Sequence, residues 1–188
     1  MKKILTAALA MLVFLSLGAQ EIRYYNAADL NVIGKAIPTS KDFTRIDTAA
    51  YSFNDKVIEE YACHSTGLAV LFATDSPIIK ARWQTSAKNA AENMTAIAQK
   101  GLDLYIKKDG EWVFAGVGRP NMSKGPAYDQ HEGTIVKSMA PGRKECLLYL
   151  PLFDSLDSLF IGVEEGSYVE PVENPFKYRI VVKGSSVT

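Results

Sequence analysis

Histidine and cysteine are scarce: the 188 residues hold two of each, His64 and His131, Cys63 and Cys146. No further Cys, His or carboxylate stands near them at ligand spacing, so no metal centre is recognisable and no motif implies a cofactor. Excess charge is also lacking, with 21 basic residues against 21 acidic. Nothing in that balance draws the chain to nucleic acid. No stretch reaches the roughly 18 apolar residues that a membrane-spanning helix needs. Internal repeats, charge blocks and low-complexity tracts are missing as well.

What is present begins with an export signal. Lys2 and Lys3 precede an apolar run from Ile4 to Leu17 and a small-residue region, Gly18-Ala19-Gln20, the layout of a cleavable secretory signal peptide over residues 1–20. The first Cys is Cys63, so an N-terminal lipid anchor has no acceptor, and a secreted or periplasmic protein is expected. Removal of the two lysines leaves a net charge of −2. Cys63 and Cys146 could pair in such a compartment, or remain as two separate core thiols.

The rest reads as short apolar or alternating runs separated by Gly, Pro, Asn, Asp and Ser, the pattern of an all-β chain. Strands are expected at Leu68–Thr74, Ile78–Thr85, Leu102–Lys107, Glu111–Gly116, Glu145–Pro151, Leu159–Glu164 and Tyr178–Lys183, with weaker signals at Val32–Ile37, Val57–Ala62 and Thr134–Met139. So many strands without a long helix predict a two-sheet sandwich. In the run 102–107, Leu102, Leu104 and Ile106 alternate with Asp103, Tyr105 and Lys107, so one face covers a core. Asp109-Gly110 then signals a hairpin turn. Between residues 86 and 100, alanines with Met94 and Ile97 recur at helical spacing. This predicts either a short helix or a long irregular excursion.

Few residues invite chemistry. His131 stands in a polar cluster, Asp129–Gly133, and reads as a solvated loop residue. His64 adjoins Cys63, but neighbours on a strand face opposite ways and cannot form a catalytic pair. Asp154-Ser155-Leu156 and Asp157-Ser158-Leu159 lack the preceding glycine of a nucleophile turn and read as a connection between strands. Near the end, Tyr178–Lys183 leads into Gly184-Ser185-Ser186. Strand, Gly, Ser is how a sheet presents a nucleophile. It is also how an ordinary tail looks, the reading that the pattern alone favours.

Gly101-Leu102-Asp103-Leu104-Tyr105 matches, at every fixed position, the Gly-x-Asp-Leu-Tyr motif of the domain that precedes the catalytic domain in one branch of the SGNH (GDSL-like) esterases. Ser65–Leu68, Arg82-Trp83, Trp112, Tyr149–Phe153 and Ile161–Val163 resemble the family in the same order, from about Ala28 to Thr188. The resemblance implies a jelly-roll-like β-sandwich over 21–173. It also implies a linker and the first strand of an incomplete SGNH hydrolase domain over 174–188.

By that resemblance Ser186 holds the nucleophile position and Gly184 the turn, with Ser185 where the family carries its name-giving Asp. Gly101, Asp103, Leu104 and Tyr105 are the structural motif. The implied chemistry is acyl transfer from an ester, aided by an oxyanion site and by a His base oriented by an Asp. Those later blocks are absent from the 188 residues, so the chain alone is expected to be inactive. Its expected partners are its own missing catalytic domain and an acylated carbohydrate or other small ester, with the connections 86–100 and 116–132 as the site's rim. The second reading is a stand-alone carbohydrate-binding sandwich, which would expose aromatics such as Tyr105, Trp112 or Trp83 on a sheet face. Core packing is the ordinary alternative for each.

Overall fold

A computed structural model describes residues 21–89, 91–178 and 180. Two antiparallel sheets pack face to face. In chain order the strands are β1 Ile22–Asn26, β2 Asn31–Ile33, β3 Ala69–Thr74, β4 Ile79–Thr85, β5 Leu102–Lys108 and β6 Glu111–Gly118. They continue with β7 Gln130–Val136, β8 Lys144–Tyr149, β9 Leu156–Glu164 and β10 Val169–Pro171. The four-stranded sheet runs β1-β9-β4-β7, and the larger sheet runs β10-β3-β8-β5-β6 with β2 also paired to β3. The all-β two-sheet expectation therefore holds.

Alternation explains the layers. Along β4, Ile79, Ala81 and Trp83 are buried while Lys80, Arg82 and Gln84 face outward. These inward residues meet Val70, Phe72, Leu104, Cys146 and Leu148 of the larger sheet, together with Leu159, Ile161 and Val163 of β9. Each fully buried aliphatic or aromatic side chain of this kind contributes about 1.5–3 kcal/mol. β3 is buried along its whole length, because Ala69 and Leu71 also pack on the outer face of its sheet, with Leu147. The hairpin between β5 and β6 turns at Asp109 and Gly110, both at positive φ.

Several local expectations need correction. Val57–Ala62 is not a strand but lies in a helix, α1, Lys56–Ala62, because Asp55 caps it by accepting from the Val57 N–H at 2.7 Å. Of the two alternatives left open for 86–100, the irregular excursion holds over residues 86–89 and 91–95, and it ends in a helical turn, α2, Ala96–Lys100. There, side chains and not i−4 carbonyls take the early backbone N–H groups: Asp154 takes that of Ser86 and Gln99 that of Ala91. β7 begins at Gln130, so residues 130–133 are strand and not loop, and the strand ends at Val136 ahead of Ser138 at positive φ. β2 stops at Ile33, before Gly34. The expected strand Tyr178–Lys183 and the residues Gly184 and Ser186 lie outside the described residues, apart from Tyr178 and Ile180. Both cysteines are free thiols, Cys146 buried and Cys63 half-buried.

Candidate functional site

The connections 86–101, 119–129 and 150–155 converge at one end of the sandwich, and a buried polar network fixes them to one another. Lys100 and Asp154 are both withdrawn from solvent, their charged atoms 3.7 Å apart. Lys100 Nζ donates to the carbonyls of Ser86 at 2.9 Å and Tyr128 at 3.5 Å, so one ammonium ties two connections together. Asp154 supplies the third, accepting from the N–H of Ser86 at 3.2 Å and of Ser155 at 2.8 Å, and from the Gln99 amide at 3.3 Å. The Trp83 indole donates to the Lys100 carbonyl at 2.9 Å and joins the network to the core. A buried charge is tolerated only when paired and hydrogen-bonded in this way.

His131 belongs to the same end and corrects the solvated-loop expectation: it is 3% exposed and sits on β7. Its Nδ1 accepts from the Asn121 N–H at 3.1 Å, so Nε2 carries the proton and donates to Thr85 Oγ1 at 3.1 Å. Burial, and then the positive charge of Lys100, push its pKa down to about 4. The imidazole is therefore a neutral anchor for the 119–129 connection, with the rings of Trp83 and Tyr128 against it.

Beside this end, the outer face of the four-stranded sheet carries an open groove of about 450 Å³. Its lining includes the amides of Gln84, Gln130 and Asn121, the Ser158 hydroxyl and the rings of Phe160 and Tyr128. Arg82 and Glu132 close one side through a bond of 3.0 Å. Tyr24 lies across β9 at Gly162, where a Cβ would come within 2.6 Å of its ring. Glycine there lets the phenol reach Glu132 at 2.7 Å, with the Arg82 guanidinium 3.8 Å above the ring. Burial and then the Glu132 carboxylate push the Tyr24 phenol up to about 12. Amides, hydroxyls, an ion pair and ring faces can hold a polyhydroxylated ligand. They include no nucleophile activated by a base.

The motif residues divide between the two faces of β5. Leu104 is in the core, whereas Asp103 and Tyr105 face outward. Gly101 is required by close approach, since a Cβ would stand 2.3 Å from the Ile97 carbonyl at the end of α2. Trp83 is core, while Tyr105 and Trp112 are half-buried on the outer face of the larger sheet. His64 and Cys63 form no pair, though not for the reason expected. They lie at the end of α1 and not on a strand, with His64 packed on Tyr61 and Phe153 and Cys63 Sγ 3.8 Å from Thr48 Oγ1. Asp154 does lie between strands, but buried as a counter-charge. Lys100, Gln99 and Thr85 were not anticipated. The one available signal was a lysine immediately ahead of the Gly101 motif and its strand. Among the described residues no group of His, Cys, Asp and Glu is arranged to hold a metal, and no helix is long and apolar enough to cross a membrane.

A solved chain from Bacteroides ovatus assigned as a GDSL-like lipase is similar at 45% identity, with a TM-score of 0.78 over 84% of this chain and 45% of its own. The salicylyl-acyltransferase SsfX3 from a tetracycline biosynthetic pathway shares the fold at 20% identity, with a TM-score of 0.55 over 83% of this chain and 43% of its own. The chain thus spans less than half the length of either neighbour. No curated protein matches the sequence. Residues 22–169 match the GxDLY family, described as the N-terminus of SGNH-hydrolase-type esterases. The chain belongs to that family.

Proposed function

We propose that this sandwich is the substrate-side accessory domain of an exported SGNH-type esterase, and that the end bearing the 86–101 and 119–129 connections completes the rim of the ester site. The observation that carries the reading is the Lys100 and Asp154 network, which holds two long connections in fixed positions at one end. Long connections held rigid by a scaffold are where such domains carry recognition. The nucleophile is Ser186, with Gly184 at its turn, in a polypeptide that continues into the rest of the hydrolase. The substrate is an acylated carbohydrate, whose sugar lies in the groove over Phe160, Gln84 and Gln130 while its ester reaches past the 119–129 connection.

Kinetics in the polypeptide that includes the hydrolase domain test this. Gln130→Ala and Phe160→Ala are expected to raise KM for acylated oligosaccharides and to leave hydrolysis of a small ester reporter unchanged. Unchanged KM for the oligosaccharide esters would remove the groove from the account.

The groove's free amide and aromatic side chains favour one other reading, a carbohydrate-binding sandwich with no esterase attached. Retarded migration of this chain in polysaccharide-containing gels, together with a gene that ends without an Asp-x-x-His block, would select it.

A further inference from the structure

The larger sheet turns an apolar face outward, and the chain leaving the sandwich is laid upon it. After β10, the Asn31 side chain donates to the Val172 carbonyl at 2.8 Å, and Val172 packs with Ala69, Leu71 and Leu147. Four residues later Phe176 meets Trp112 of β6, ring centroids 6.4 Å apart. Four extended residues cover roughly 13 Å, close to the three strand spacings of about 4.8 Å that separate β3 from β6. The segment 172–176 therefore crosses the sheet as a strap, and the half of the face nearer the loop end is left uncovered by the described residues.

That half is built for contact. Tyr149, Tyr105 and Phe114 stack edge to face, with centroids 5.7 Å apart in both pairs, yet Phe114 is 56% exposed and Tyr149 37%. Asp103 stands opposite both Tyr149 and Val117 in the strand register. Its carboxylate is half-buried and bonds to no described residue, and burial raises its pKa. Glu145, on the far side of the strap, is held by Lys107 and Arg143. Beyond Lys177, the side chains of Tyr178 and Ile180 are 77% and 84% exposed. Aromatic residues around a carboxylate that has no partner among the described residues make a surface suited to a large apolar partner that brings a hydrogen-bond donor. The B. ovatus neighbour, of which this chain covers 45%, has the length to supply such a partner in the same polypeptide.

We propose that Asp103, Tyr105, Phe114, Val117 and Tyr149 seat the hydrolase domain that continues the polypeptide, and that Asp103 pairs with a donor on that domain. Two residues of the family motif thus face the interface, while Gly101 and Leu104 build the sandwich. The inference rests on the reading that a hydrolase domain follows, but not on its substrate.

Hydroxyl-radical footprinting of the 188-residue chain and of the longer polypeptide tests it. Phe114 and Tyr149 are expected to lose most of their labelling in the longer polypeptide, while Phe160 on the opposite face keeps its own. Equal labelling of Phe114 and Tyr149 in the two forms would overturn the proposal. So would protection in the 188-residue chain that disappears on dilution, the mark of a second copy on this face. Phe114→Lys with Asp103→Ala supplies a second readout. The 188-residue chain should melt as before, and the single transition of the longer polypeptide should split in two. A single unshifted transition contradicts the proposal. A longer polypeptide that protects this face but hydrolyses no ester would keep the docking inference and refute the function.

Discussion

Replacing Asp154 by Ala should be among the most damaging single changes available to this domain. The substitution removes the counter-charge 3.7 Å from Lys100 Nζ, and with it the acceptor for the N–H groups of Ser86 and Ser155 and for the Gln99 amide. Lys100 is fully buried, so its ammonium is left with two backbone carbonyls in place of a carboxylate. Breaking a buried pair from one side costs about 3–5 kcal/mol, and at about 2–4 °C per kcal/mol for a domain of this size the melting temperature falls by about 10 °C. Urea denaturation followed by tryptophan fluorescence reads the loss directly, since Trp83 is bonded to the Lys100 carbonyl. Amide exchange should rise first in 86–95 and 119–129. Replacing both partners, Lys100→Met with Asp154→Leu, should cost less than Asp154→Ala alone, because no buried charge is then orphaned. A loss below about 1 kcal/mol for Asp154→Ala, the scale of an exposed pair, would refute the network's role.

Two further outcomes follow from the same geometry. His131 titrates at about 4 when folded and near 6.5 unfolded. The unfolded chain thus binds more protons between these values, and stability present above pH 6.5 is lost as pH falls toward 4. The loss is about 3 kcal/mol at most. His131→Gln should flatten that window in urea titrations at pH 7 and pH 4.5, and an unchanged slope would show that His131 is not the group responsible. Gly162→Ala places a methyl 2.6 Å from the Tyr24 ring and should cost about 1–3 kcal/mol by overpacking. A stability equal to wild type in thermal melts would mean that Tyr24 does not lie across β9.

The β architecture was legible because alternation is a local signal: the periods at Leu102–Lys108 and Ile79–Thr85 name their inward residues without any knowledge of partners. Where β-branched content and capping disagreed, as at Val57–Ala62, one Asp at the helix start prevailed. The candidate site was much less legible. Its rim connections could be placed from sequence, but Lys100 and Asp154 are 54 residues apart, and nothing local distinguishes a buried lysine from a solvated one. His131 was misread for the same reason: the polar neighbours that suggested a loop, Gln130 and Glu132, are the outward half of a strand whose other half is buried. The motif's Asp103 and Tyr105 were visible as a pattern. Only the strand register shows that they share an outward face with Tyr149 and Phe114.

The most direct test of the central claim is ester hydrolysis measured on two forms side by side, the 188-residue chain and the polypeptide that continues into a hydrolase domain, each with and without Ser186→Ala. Background rates are expected from the 188-residue chain, and from the longer form an activity that Ser186→Ala abolishes. Hydrolysis by the 188-residue chain, or full activity of the longer form without Ser186, would contradict it.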